Sequence, residues 1–75
     1  SSLVEKQAIV NTRDEIMGEE ELFIKGWHII QLKNGSKKDK VLILTNAAIY
    51  ICSYDFKNKN VDFGSIFKII YNIRY

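Results

Sequence analysis

Few side chains in this sequence could act as acid, base, nucleophile or metal ligand. His28 is the only histidine and Cys52 the only cysteine. His28 sits mid-strand on an apolar face, where a hydrogen-bonded structural histidine is expected rather than a general base or a ligand. Cys52 lies in the run Ile49-Tyr50-Ile51-Cys52. A small buried hydrophobe is expected there, because an activated thiolate needs a basic neighbour that the sequence does not supply. Glu19, Glu20 and Glu21 lack the spacing of a calcium loop and read as a solvated acidic edge. No glycine-rich phosphate cradle and no zinc-type cluster is present. Neither catalytic residues nor a metal or cofactor are expected.

The more informative chemistry is cationic. Lys33, Lys37, Lys38 and Lys40 surround Asn34-Gly35-Ser36. A glycine-containing turn lets backbone amides approach an anion, and each ammonium gains roughly 1 kcal/mol near an anionic leaflet. The alternative is that these lysines blunt an exposed hairpin and keep it soluble. Asn34-Gly35-Ser36 also fits the N-glycosylation pattern, but it reads as a turn. Lys57 and Lys59 belong to a later loop, residues 55–60, which a meander brings to the same sheet end as the loop at 34–39. Nucleic acid is not expected as the anion: no RNP-like pattern of aromatic and basic residues appears, and aromatics at period two usually form core.

The elements that must hold these residues fit one small domain. The chain has 75 residues, of which 47% are hydrophobic and 27% charged, with no proline. Disorder and low complexity are thereby excluded. Below about 70–80 residues a single core rarely supplies more than ~3–5 kcal/mol without a staple, and a lone cysteine provides none. A partner or further chain is therefore implied. The cysteine usage fits a reducing cytoplasmic compartment, with membrane attachment peripheral at most, since no apolar run approaches the ~20 residues of a membrane span. The charge is asymmetric. Lys6 and Arg13 against Glu5, Asp14, Glu15, Glu19, Glu20 and Glu21 leave residues 1–24 at −4, while nine basic residues against Asp39, Asp55 and Asp62 leave residues 25–75 at +6. A basic sheet region facing an anionic partner is consistent with this.

Residues 1–18 read as a helical segment and 22–75 as antiparallel strands. Leu3, Val10 and Met17 recur every seven positions, with Ile9 and Ile16 beside them. Ser2/Glu5 and Thr12/Glu15 each form a capping-box pattern, which predicts a break near Asn11-Thr12, and Gly18 is expected to close the last turn. From Leu22 to Lys33, the face carrying Leu22, Ile24, Gly26, His28, Ile30 and Leu32 is the expected core face. A loop at 34–39 leads to a strand at 40–45, a tight turn to a strand at 48–54, and a second turn to a short strand at 61–63. Residues 65–75 follow as a last strand, with Phe67, Ile69, Tyr71, Ile73 and Tyr75 on its buried side.

Lys40-Val41-Leu42-Ile43-Leu44-Thr45-Asn46-Ala47-Ala48-Ile49-Tyr50-Ile51-Cys52-Ser53-Tyr54-Asp55-Phe56 resembles the core of the Sac-two homology domain, a PH-like family found beside Sac-type inositol phosphatase domains. The match spans about residues 22–70, and its most specific part is Tyr54-Asp55-Phe56 after the Ile-Cys pair. The resemblance implies an α+β fold, a PH-like antiparallel meander or partial barrel preceded by an N-terminal helix. It also implies an interaction module without activity of its own. In phosphoinositide-binding members the basic first hairpin loop holds the head group, which matches Lys33, Lys37, Lys38 and Lys40 here. The loop has no arginine for bidentate phosphate recognition. About five strands fit, against roughly seven strands and a C-terminal helix in a complete PH-like barrel, so the fold is either an N-terminal portion or completed by a partner. Family association with dimerisation favours a homodimer.

The sequence thus leads to a PH-like module that self-associates and weakly binds phosphoinositide or other anionic lipid through Lys33, Lys37, Lys38, Lys40, Lys57 and Lys59. The alternative is a purely structural interaction or dimerisation domain without lipid binding. Trp27, Phe67, Tyr71 and Tyr75 are the expected contact surface.

Overall fold

The computed structural model describes residues 2–71. Helix α1 (Leu3–Ile16) is followed by four strands, β1 (Phe23–Lys33), β2 (Ser36–Thr45), β3 (Ala48–Asp55) and β4 (Asn60–Ile70). They form one antiparallel sheet in the order β1-β2-β3-β4. The sheet does not close, so β1 and β4 are both edges. This is a helix on an open meander, consistent with a PH-like α+β fold.

The helix begins where its local chemistry demands. The Ser2 hydroxyl accepts from the Glu5 amide and the Glu5 carboxylate accepts from the Ser2 amide, a reciprocal box that satisfies two free donors. The second box does not form, and α1 runs unbroken. Thr12 is fully buried, and its hydroxyl donates to the Ala8 carbonyl one turn back at 2.8 Å. Packing against the sheet outweighs its capping tendency. Gly18 is not a left-handed cap either. The helix ends on Met17 in an extended conformation, and the Gly18 amide donates to Glu21 at 3.2 Å.

The connections are shorter than the sequence suggests. Asn34 and Gly35 have φ of 50° and 77°, the two-residue turn whose twist matches a hairpin, and Lys33 pairs directly with Ser36. Residues 36–39, expected as loop, are strand. The last β2–β3 pair at this end is Lys40 with Ser53, so β1 and β2 continue past it as a two-stranded ribbon. At the opposite end the Thr45 hydroxyl accepts from the Ala47 and Ala48 amides and fixes the β2–β3 turn. Between β3 and β4, Asp55 accepts from the amides of Lys57 and Asn58. The two last strands expected from the sequence are a single β4 with a register shift opposite Ile51 and Ser53. Ser65 fills the irregularity, accepting from the Ser53 amide at 2.9 Å and donating to the Asp62 carbonyl at 2.8 Å.

The core lies between α1 and one face of the sheet. Ala8, Val41, Ile43, Ala48, Tyr50, Cys52, Tyr54 and Val61 are its buried apolar members. Gly26 admits the helix: a Cβ there would stand 2.4 Å from Ile9 Cγ2 and 3.1 Å from Ile43 Cδ1. The face expected to be core in β1 is covered only at Gly26 and His28. A bulge between Phe23 and Lys25 turns Phe23 onto the core and leaves Leu22 and Ile24 exposed. Ile30 and Leu32 are exposed on the ribbon. In β4 the expectation is reversed: Phe67 and Ile69 face away from the helix and are exposed, while Ile66 packs on the core.

Gly26→Ala is expected to destabilise the fold by about 1–3 kcal/mol, because the branched Ile9 methyl cannot rotate away from the added carbon without moving α1. Urea unfolding of the variant beside the parent chain checks this, with a lower midpoint expected.

Candidate functional site

Strand alternation creates a second apolar face on the side away from α1. Val41, Ile43, Tyr50 and Cys52 point to the helix, so Leu42, Leu44, Ile49 and Ile51 point the other way. The pairing register aligns Trp27, Leu42, Ile51 and Phe67 in one row across all four strands. Leu44, Ile49 and Ile69 form the next row. Trp27 is 37% exposed, Phe67 58% and Ile69 46%. The Lys25 ammonium lies over the Trp27 ring at 5.4 Å from its centroid. Among the described residues no element covers this face. Strand spacing and rise give these rows, with Ile29 beside them, roughly 400 Å² in projection, within the range of patches that are often functional.

Two of the four expected contact residues, Trp27 and Phe67, therefore share a row. Tyr71 does not join them: its hydroxyl donates to the Thr45 carbonyl and its amide to the Ala47 carbonyl, which ties it to the β2–β3 turn. Tyr75 lies outside the described residues. Leu42, Leu44, Ile49 and Ile51 were not singled out, although the continuous apolar runs 41–44 and 47–52 carried the signal. A strand with only one buried face alternates; these two do not.

The six lysines do not form one cluster. Lys37, Lys38 and Lys57 line an open groove where the end of β2 diverges from the β3–β4 connection. Lys59 is on another side, lining a notch with Leu3, Val4, Tyr54 and Phe56. Lys33 and Lys40 line neither. The groove also holds Asp39, Asp55 and Asp62. All three have internal partners: Asp39 meets His28, Asp55 binds the turn amides, and Asp62 accepts from the Gly64 amide at 3.0 Å. The Asn58 amide and side chain, followed by the Lys57 amide, hold the Asp55 carboxyl below the usual range. In the groove wall the buried Ser53 hydroxyl has no hydrogen-bond partner among the described residues.

His28 is a joint between three elements. Its Nδ1 lies 2.8 Å from Glu5 Oε2 on α1 and its Nε2 2.9 Å from Asp39 Oδ1 on β2. Phe56 meets the ring edge-on at a centroid distance of 4.8 Å. The Glu5 bond chiefly raises the His28 pKa, with desolvation opposing and Asp39 adding to the rise. The His28 bond in turn, together with the amide and hydroxyl of Ser2, takes the Glu5 carboxyl down to about 2. The carboxylates sit on opposite ring nitrogens, so they do not converge on one metal position, and among the described residues no group of three ligands does.

The remaining candidates are structural. Burial pushes the Cys52 thiol up to about 11 and the Tyr50 phenol, aided by Glu21, to about 12. Glu21 departs from the expected solvated edge. Its carboxylate accepts from the Tyr50 hydroxyl, from Thr45 at 2.6 Å and from the Gly18 amide. Burial opposes its ionisation, but these donors keep its pKa below the ordinary value. It pins the α1–β1 connection to the sheet.

A helix-backed open antiparallel sheet is an α+β scaffold, consistent with a PH-like fold. The chain belongs to the hSac2 family, described as inositol phosphatase, whose match covers residues 2–69. That span takes in the helix, all but the last residue of the sheet, and the Tyr54-Asp55-Phe56 segment. No curated protein and no solved structure matches the chain.

The His28 contacts give stability a pH dependence with two limbs. A histidine with a raised folded pKa contributes fully below its unfolded value of 6.5 and loses that contribution as pH rises through the folded pKa. Glu5 contributes above 4.5 and loses it as pH falls through about 2. Together they favour the native state most between pH 4.5 and 6.5. Thermal melts from pH 5 to 9 are expected to show a declining midpoint above pH 6.5, and His28→Gln should flatten that limb.

Proposed function

We propose that this chain is a non-catalytic interaction module that self-associates through the outer sheet face, in a reducing cytoplasmic compartment. The observation carrying this reading is the in-register row Trp27-Leu42-Ile51-Phe67, which no element among the described residues covers. The occupant that fits it is a second copy. A stable interface takes about 800 Å² per partner. The apolar rows supply the centre, and the margin bearing Lys25, Gln31 and Lys40 supplies a polar rim. A two-fold pairing brings the same flat, self-complementary surface from both chains.

Binding to acidic lipid surfaces is a second, separable reading. It is supported by the groove that brings Lys37, Lys38 and Lys57 together. Asp39 and Asp55 have internal partners, which moderates the negative charge they offer an incoming phosphate. The exposed Ile30 and Leu32 stand on the adjoining ribbon and provide apolar contact beside the charge.

For self-association, sedimentation velocity across a concentration series is expected to show a monomer–dimer equilibrium. Phe67→Glu, on an exposed position, should raise its dissociation constant by about 30-fold or more. A monomer at every concentration would contradict the reading. For lipid, co-sedimentation with phosphoinositide-containing vesicles at physiological salt should weaken by about fivefold for each of Lys37, Lys38 and Lys57 changed to Glu. Equal binding by the triple variant would overturn the groove as the site.

A further inference from the structure

The two ring nitrogens of His28 stand at hydrogen-bonding distance from two different carboxylates. A neutral imidazole has one N–H, so it can donate to only one of them and turns a lone pair towards the other. Only the imidazolium satisfies both. The Glu5 carboxylate is held from its other side by the amide and hydroxyl of Ser2, at 3.2 and 3.1 Å. Among the described residues, Asp39 has His28 alone as a hydrogen-bond partner, and its side chain is the more exposed of the two, at 47% against 36%. On loss of the proton the lower-cost arrangement keeps Nδ1–H on Glu5 and turns Asp39 to water.

Asp39 also lines the groove of Lys37, Lys38 and Lys57. We propose that His28 is a proton switch for that groove: charged, it neutralises Asp39 and leaves the lysines to an anion, and uncharged, it returns a free carboxylate to their midst. The inference rests on the lipid-binding reading and adds its regulation. The titratable groups around the switch and its groove come from every element nearby. They are Glu5 on α1, Asp39 on β2 beside Lys37 and Lys38, Tyr54 and Asp55 at the end of β3, Lys57 and Lys59 in the β3–β4 connection, and Asp62 on β4. Of these, Glu5 and Asp39 touch the ring, and only Asp39 belongs to both the ring and the groove. Linkage makes the coupling reciprocal: an anion in the groove must raise the proton affinity of His28 by the factor by which the proton raises anion affinity.

The test is co-sedimentation of the full chain with vesicles of phosphatidylglycerol and phosphatidylcholine, a mixture whose charge is constant between pH 5.5 and 8.5, at fixed ionic strength. One charge added to the groove is expected to weaken binding about fivefold across the His28 titration. Asp39→Asn should bind at pH 8.5 as tightly as the parent chain at pH 5.5 and lose the pH dependence. His28→Gln should bind weakly throughout. Should His28→Gln fail to fold, the Asn variant decides alone. Binding that is flat with pH, or a slope that survives in Asp39→Asn, overturns the switch and leaves the lipid reading standing. No binding at any pH overturns both.

Discussion

A single helix must cover a sheet that is apolar on both faces. Strands β2 and β3 place Val41, Ile43, Tyr50 and Cys52 on one side and Leu42, Leu44, Ile49 and Ile51 on the other, and α1 seals only the first. Gly26 lets Ile9 settle onto Ile43, the Ser2–Glu5 box fixes where the helix starts, and Glu21 holds the connection that follows it. The sealed side is an orthodox core. The unsealed side is a flat row of four side chains that water does not favour, and the proposed role of the domain follows from that imbalance.

Features set by adjacent residues were legible in the sequence. The Ser2–Glu5 box, the Asn34-Gly35 turn and the Asp55 turn depend on a few neighbouring atoms, and each is present in the structure. Features set by distant partners were not. The bulge at Ile24 brings Phe23 rather than Ile24 onto the core at the start of β1, and no residue in Phe23-Ile24-Lys25 announces it. Thr12 reads as a cap until a sheet is packed against it. Residues 61–63 and 65–75 read as two strands, yet β4 runs through both, with the Ser65 hydroxyl accepting from the Ser53 amide across the irregularity. The lysines show the same limit: their loops share one end of the sheet, as the meander requires, but only Lys37, Lys38 and Lys57 meet in the groove.

Charge is arranged with comparable economy. The acidic N-terminal segment meets the basic sheet through specific contacts, with Glu5 on His28 and Glu21 on Tyr50 and Thr45. His28 thereby links the start of α1 to the base of the ribbon, and that ribbon carries both the lysine groove and the exposed Ile30 and Leu32. The uncovered apolar face on the sheet and the lysine groove at one end share no residue, so the two proposed roles do not compete for the same surface.

Trp27 is the only tryptophan in the chain and stands at one end of the uncovered row, so its fluorescence reports directly on whether that face meets water. If a second copy covers it, raising the protein concentration should move the emission to shorter wavelength and protect it from acrylamide quenching. Emission and quenching that stay constant over the same range, at the values of a half-exposed indole, would contradict the account.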